Sequence, residues 1–270
     1  MTNLPSDQSA NREDKMTKRK LKQDIHAILG RESLREVTAG LAALRSEDCL
    51  GPLFAALCSI DPLVHWHAVS AFGMVVRKLA EGNLETARVV MRRLLWSLND
   101  ESGGIGWGAP QAMAEIMANQ PQLADEYLHM LISYTKEDGD GLFEDGNFIE
   151  LPMLQRGLLW GIGRLCPLYG DRLRQAGVPA DLAKYLASPD GVVRGMALWC
   201  LGRLAAEMTP TVAALQGDAT LITLYDNGNF TTFSIDQLVA LFGRESRLGT
   251  EEVLAEQAGP DGTKFRRYGK

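Results

Sequence analysis

The sequence contains no uninterrupted apolar run of about eighteen residues, the length a helix needs to cross a bilayer. Its opening stretch, MTNLPSDQSANREDK, is polar and lacks the apolar segment of a secretory leader. These absences lead us to expect a soluble, cytoplasmic protein with no membrane partner. Cysteine is scarce: Cys49, Cys58, Cys166 and Cys200 are the full set, none in C-x-x-C spacing and each inside an apolar-periodic segment. All four are expected to be reduced core residues. Histidine is equally scarce, at His26, His65, His67 and His129. His65 and His67 stand two apart on a helical stretch, so they point in different directions, and no His-Glu pair occurs. No metal site and no cofactor is expected. No Ser/His/Asp or Cys/His grouping has local motif support, so no catalytic residue is assigned.

What is present is ample apolar material, 46% of 270 residues, and an uneven charge. Residues 1–22 and 259–270 together hold ten Lys/Arg against four Asp/Glu, a charge of +6, which leaves −12 of the net −6 to residues 23–258. An acidic body repels phosphates over most of its surface, so nucleic acid is not the expected partner. The charge-rich, apolar-poor ends read as tails: 1–18 as a disordered basic tail and 246–270 as a second. Between them, 19–207 reads as a repeat array and 208–245 as a terminal cap.

The repeat emerges from four tryptophan-bearing segments. VHWHAVSAFG (64–73) aligns with IGWGAPQAMA (105–114), sharing Trp66/Trp107, Ala68/Ala109 and Ala71/Ala112, and LWGIGRL (159–165) aligns with LWCLGRL (198–204). Asp61 falls on Asp190, Val64 on Val193 and Gly73 on Gly202. The central positions Ala68, Ala109, Leu158 and Ala197 are spaced 41, 49 and 39 residues apart. Each segment follows another amphipathic stretch, near 48–59, 84–98, 121–135 and 179–187, with an opening pair near 20–29 and 33–45. Helical pairs of this kind cannot bury their cores alone and stabilise one another in a line.

The period, and the pattern Asp190, Val193, Arg194, Ala197, Leu201, Gly202 and Leu204, resemble HEAT repeats, in particular those of the phycobilin-lyase type. The other units are weaker copies, with His65, Gly106 and Gln155 in place of the arginine. The resemblance implies an all-α α-solenoid, an alpha-alpha superhelix of HEAT-like helical pairs, over roughly residues 20–207. After the array, LITLYDNGNFTTFSI (221–235) reads as a β-hairpin with a type I′ turn at Asn227-Gly228. Ser234 and Gln237 form a capping box for a last helix. This hairpin-helix unit is expected to cap the exposed apolar end.

Side chains can be placed by the 100° turn per residue. With Trp66 at zero, Val64, Ala68, Ala71, Phe72, Val75 and Leu79 fall between about 140° and 240°, the buried stripe. Trp66, Trp107, Trp160 and Trp199 fall on the far side, with the small residues Gly73, Ala114, Gly163 and Gly202 beside them and Glu115, Arg164 and Arg203 on the flank. In HEAT-like arrays the second helix lines the concave surface, so the resemblance implies a Trp-lined groove for a protein or peptide. Packing of the same tryptophans on neighbouring repeats is the alternative.

Two segments belong to the expected rim. In the glycine-rich stretch 100–110, Gly104, Gly106 and Ala109 match a relaxed dinucleotide fingerprint, but a helix precedes it where a strand is required. Pro110 suits a first helical turn, whose free N–H groups would meet an anion or be capped by Asp100, Glu101 or Ser102. Residues 136–150 gather six carboxylates, Glu144 and Asp145 among them, yet Leu142 and Phe143 stand where a calcium loop needs oxygen ligands and glycine. The expected function is therefore a macromolecular binding scaffold. The alternative is an enzyme on modified DNA, since the tryptophan register resembles HEAT-like alkylpurine DNA glycosylases, or a tetrapyrrole-binding protein of the lyase type.

Overall fold

A computed structural model describes residues 7–99, 106–137, 147–207 and 209–242. The chain forms two compact units that divide at Gly108 and Ala109. Both are stacks of helical pairs, the all-α solenoid class, and the second carries the small sheet.

The first unit holds α1 (Asp7–Leu29), α2 (Leu34–Ala42), α3 (Ser46–Ala56), α4 (Pro62–Gly82) and α5 (Leu84–Leu98). Helix α1 begins at Asp7, where a disordered tail through residue 18 was expected; residues 7–29 contain neither proline nor glycine to interrupt it. Caps set the other boundaries. The Ser33 hydroxyl accepts from Arg35 N at the start of α2. The Asp61 carboxylate accepts from Leu63 N and Val64 N, with Pro62 in the first turn of α4. Asn83, extended at φ −157°, ends α4 and caps α5 by accepting from Glu85 N.

Helix α4 is the centre of this unit. All six residues of the expected stripe are buried, and so are His67, Val69, Gly73 and Val76. The buried arc is wider than one face because α1, α2, α3 and α5 all pack against α4. Phe72 is fully enclosed and meets Phe54 of α3 edge-on at 5.0 Å. A burial of this size contributes about 1.5–3 kcal/mol.

The second unit holds α6 (Ala109–Asn119), α7 (Pro121–Ser133), α8 (Pro152–Gln175), α9 (Val178–Tyr185), α10 (Gly191–Arg203), α11 (Pro210–Ala213), strands β1 (Leu221–Asp226) and β2 (Asn229–Ser234), and α12 (Ile235–Leu241). Helix α8 packs between α6 and α10, while α7 and α9 each join the two neighbours they connect. This is the repeat stack read from the sequence. Asp190 caps α10 as Asp61 caps α4, accepting from Val192 N and Val193 N. Helix α8 kinks at Tyr169 (φ −131°, ψ 24°), two residues past Pro167, whose missing N–H interrupts the helical ladder.

The hairpin forms as expected. Asp226 pairs with Asn229 across Asn227 (φ 46°) and Gly228 (φ 91°), both left-handed as a type I′ turn requires. Ser234 and Gln237 make the reciprocal capping box of α12. Strand β1 and helix α12 lie on α10, burying Ile222, Leu224, Phe233 and Leu238, so the hairpin-helix unit covers the last repeat. Among the described residues no helix is long and apolar enough to cross a membrane.

Candidate partner-binding surface

In the second unit the tryptophans are enclosed. A Cβ on Gly161 of α8 would lie 3.0 Å from the Ala114 Cβ and 3.1 Å from the Pro110 carbonyl oxygen, so α6 approaches at backbone distance. Gly163, on another side of α8, is where the indole of Trp199 from α10 rests. Arg203 covers that indole at 4.7 Å and donates from Nη1 to the Gly163 carbonyl at 3.0 Å. Trp199 is left 8% exposed. Trp160 is 2% exposed, and its Nε1 donates to the Tyr225 carbonyl of β1 at 2.9 Å.

Gly195 of α10 holds the register position of Trp66, and a Cβ there would fall 2.5 Å from the Cγ2 of Ile222. The hairpin thus occupies the face on which the first repeats carry tryptophan. The expected open groove past Trp160 and Trp199 is corrected on this point: both indoles are core. The 100° projection places a residue away from the apolar stripe of its own helix but says nothing of a later segment that returns to cover it.

The flanking charges are likewise used inside the unit. Arg164 donates from Nε and Nη2 to Glu115 at 2.8 and 3.4 Å, tying α8 to α6, and Glu115 also accepts from Asn119 Nδ2 at 2.9 Å. The two side chains are only 23% and 12% exposed. A pair this enclosed acts as a clamp between repeats.

The first unit presents a different picture. Trp66 is half-buried and meets His65 edge-on, with centroids 5.3 Å apart. His65 Nδ1 lies 2.8 Å from the Leu57 carbonyl; a carbonyl only accepts, so Nδ1 carries the proton. Burial holds the imidazole pKa below its ordinary value, opposed by that hydrogen bond. Trp107 is 36% exposed and stands between two glycines that no other residue could replace without movement. A Cβ on Gly106 would meet the Ser97 carbonyl at 2.8 Å; one on Gly108, at φ +71°, would meet His65 Cε1 and Leu57 at 3.0 Å. The chain around Trp107 is thus pressed onto the end of α5 and onto His65. His65 and Trp66 meet ring to ring, and the backbone next to Trp107 lies against His65.

Of the expected rim, Gly106 is the Ser97 contact just described, while Asp100, Glu101, Gly104, Glu144 and Asp145 lie outside the described residues. Pro110 stands in the first turn of α6 as expected. His67 is completely buried, with Nδ1 2.8 Å from the Leu29 carbonyl. Among the described residues no group of three or more His, Cys, Asp or Glu is placed to hold a metal ion. Cys49, Cys166 and Cys200 are core thiols, the first two pushed by burial to pKa values of about 11 and about 12. Cys58 departs from expectation and is exposed, because it lies in the turn after α3. The sequence reading missed Trp96 of α5, 73% exposed. Its signal was available: it is the one tryptophan outside the repeat register.

These features define an all-α helical-repeat protein whose first unit leaves Trp107 in contact with solvent. No family model matches the chain. It is 23% identical over 186 residues to an uncharacterized protein of Archaeoglobus fulgidus, a similarity that covers 66% of this chain and 87% of that one. Among solved structures it is similar to a computationally designed armadillo repeat protein for modular peptide recognition, at TM-score 0.45 and 17% identity over 85% of this chain and 91% of that one. A designed armadillo repeat protein in complex with the peptide (KR)4 matches at TM-score 0.40 and 18% identity, over 74% and 93% of the two chains.

Proposed function

We propose that this protein is a repeat scaffold that binds a segment of a protein partner across His65, Trp66 and Trp107. The observation that carries this reading is Trp107, a large aromatic kept in contact with solvent by two glycines whose backbone conformation and close packing hold it there. Exposed, rigidly mounted tryptophan is the side chain that most often dominates binding energy at an interface. The tryptophans of the second unit take no part, being core residues, and Glu115, Arg164 and Arg203 serve to hold that unit together. The charge of −12 over residues 23–258 favours a peptide or protein over nucleic acid.

The test is affinity capture from native lysate with the intact protein and a Trp66→Ala/Trp107→Ala variant of matched circular dichroism and melting temperature. A protein partner that is retained by the first and lost by the second supports the reading. Equal capture by both overturns it.

A further inference from the structure

The outer face of α5 carries a second surface, independent of the tryptophan register. The helix packs on α4 through Ala87, Val90, Met91 and Leu94, all buried. Its opposite side leaves Val89 53% and Trp96 73% exposed. These two residues are seven apart, about 10.5 Å along the axis, and so lie on one face two turns from each other. Single exposed apolar residues are ordinary; a valine and a tryptophan in helical register beside a row of arginines are a pattern.

The charge on this helix opposes that of the body as a whole: Arg88, Arg92 and Arg93 stand against Glu85 alone. Arg88 and Arg92 reach Glu85 at 3.5 and 2.6 Å. Arg93 is different. It follows Val89 by one turn and precedes Trp96 by three residues, and its guanidinium lies 3.8 Å over the half-buried ring of Phe54 from α3. Among the described residues it meets no carboxylate. Arg93 is exposed, and its contact with the ring restrains the guanidinium, which lowers the ordering cost of recruiting a carboxylate there. The surface therefore offers two apolar anchors two turns apart and one restrained cation between them.

We propose that this face binds an acidic amphipathic helix of a protein partner, its apolar stripe covering Val89 and Trp96 and a carboxylate accepting from Arg93. Such a helix presents apolar residues at three- and four-residue spacing, which matches the repeat of the anchors. Its negative flank complements the arginines, and a basic helix would be repelled by them.

The experiment is fluorescence anisotropy with two labelled peptides about five turns long, one with leucine at three- and four-residue spacing and glutamate elsewhere, the other with lysine in place of glutamate. The intact protein is compared with Trp96→Ala, Arg93→Glu and Trp107→Ala variants. The expected result is saturable binding of the glutamate peptide alone, weakened about tenfold or more by Trp96→Ala and by Arg93→Glu and unchanged by Trp107→Ala. If Trp96→Ala fails to fold, Arg93→Glu decides. The proposal is overturned if neither peptide binds, if the lysine peptide binds as well, or if the two α5 variants bind like the intact protein. Sedimentation showing a concentration-dependent dimer of the intact protein that Trp96→Ala abolishes would give the face to a second copy and also overturn it.

Discussion

The indole of Trp199 lies across Gly163, so that a Cβ at residue 163 would overlap the Cζ3 atom of the ring. This glycine is a socket, and its helix-weakening backbone is tolerated because a large side chain fills the space. Gly163→Ala is expected to destabilise the protein by about 1–3 kcal/mol through overpacking. Gly82 in the last turn of α4 is the control, since a Cβ there meets nothing within 4 Å and no proline follows it. Gly82→Ala should stabilise by about 0.5–1 kcal/mol, the ordinary helix-propensity gain. Urea unfolding of the two variants checks both signs; equal effects would remove the socket.

The bond from Trp160 Nε1 to the Tyr225 carbonyl, with Tyr225 itself buried and 5.2 Å from Phe230, fastens β1 to α8. Trp160→Phe keeps a ring in the core but removes the donor. The expected cost is about 1–3 kcal/mol, that of a buried carbonyl deprived of this donor. Hydrogen exchange should locate the loss in β1 and β2, with amides of α4 unaffected.

His67 is enclosed between α4 and the C-terminal end of α1, its Nδ1–H donating to the Leu29 carbonyl. Desolvation lowers its pKa, against a smaller raising effect of that bond and of Asp61, and desolvation also lowers that of His65. A histidine whose folded pKa is depressed stabilises fully above the unfolded value of about 6.5 and loses that contribution as pH falls below it. The melting temperature should therefore drop between about pH 7 and pH 5, and His67→Gln should flatten the slope. An identical slope in the variant would assign the acid sensitivity elsewhere.

Glu115 and Arg164 hold α6 and α8 together from a mostly buried position. Glu115→Ala strands the guanidinium and should cost about 1–3 kcal/mol, while Glu115→Gln, which still accepts a hydrogen bond, should cost less. Chemical denaturation of both variants distinguishes this clamp from a surface pair, for which the two changes would be nearly equal and small.

The sequence was most informative where structure is local. Asp61 and Asp190 before their helices, Asn227-Gly228 between β-branched runs, and Ser234 with Gln237 each state a geometry within a few residues, and each forms that geometry. The buried stripe of α4 was legible for the same reason, since its period is that of the helix. The N-terminal extent of α1 was not, because charge content suggested a tail, while a stretch without proline or glycine continues the helix to Asp7.

Short-range periodicity and turn chemistry are enough to specify an all-α stack of helical pairs, its repeat period, the Asp61 and Asp190 caps and the hairpin after the last repeat. Which tryptophans meet solvent is set by long-range packing. Trp160 and Trp199 share a helical position, yet one is enclosed by a strand that follows it by 65 residues and the other by a glycine on the preceding repeat helix, whereas Trp107 is held outward and Trp96, outside the register, is more exposed than either. Burial depends on what packs across a side chain, and that neighbour is supplied by segments distant in sequence.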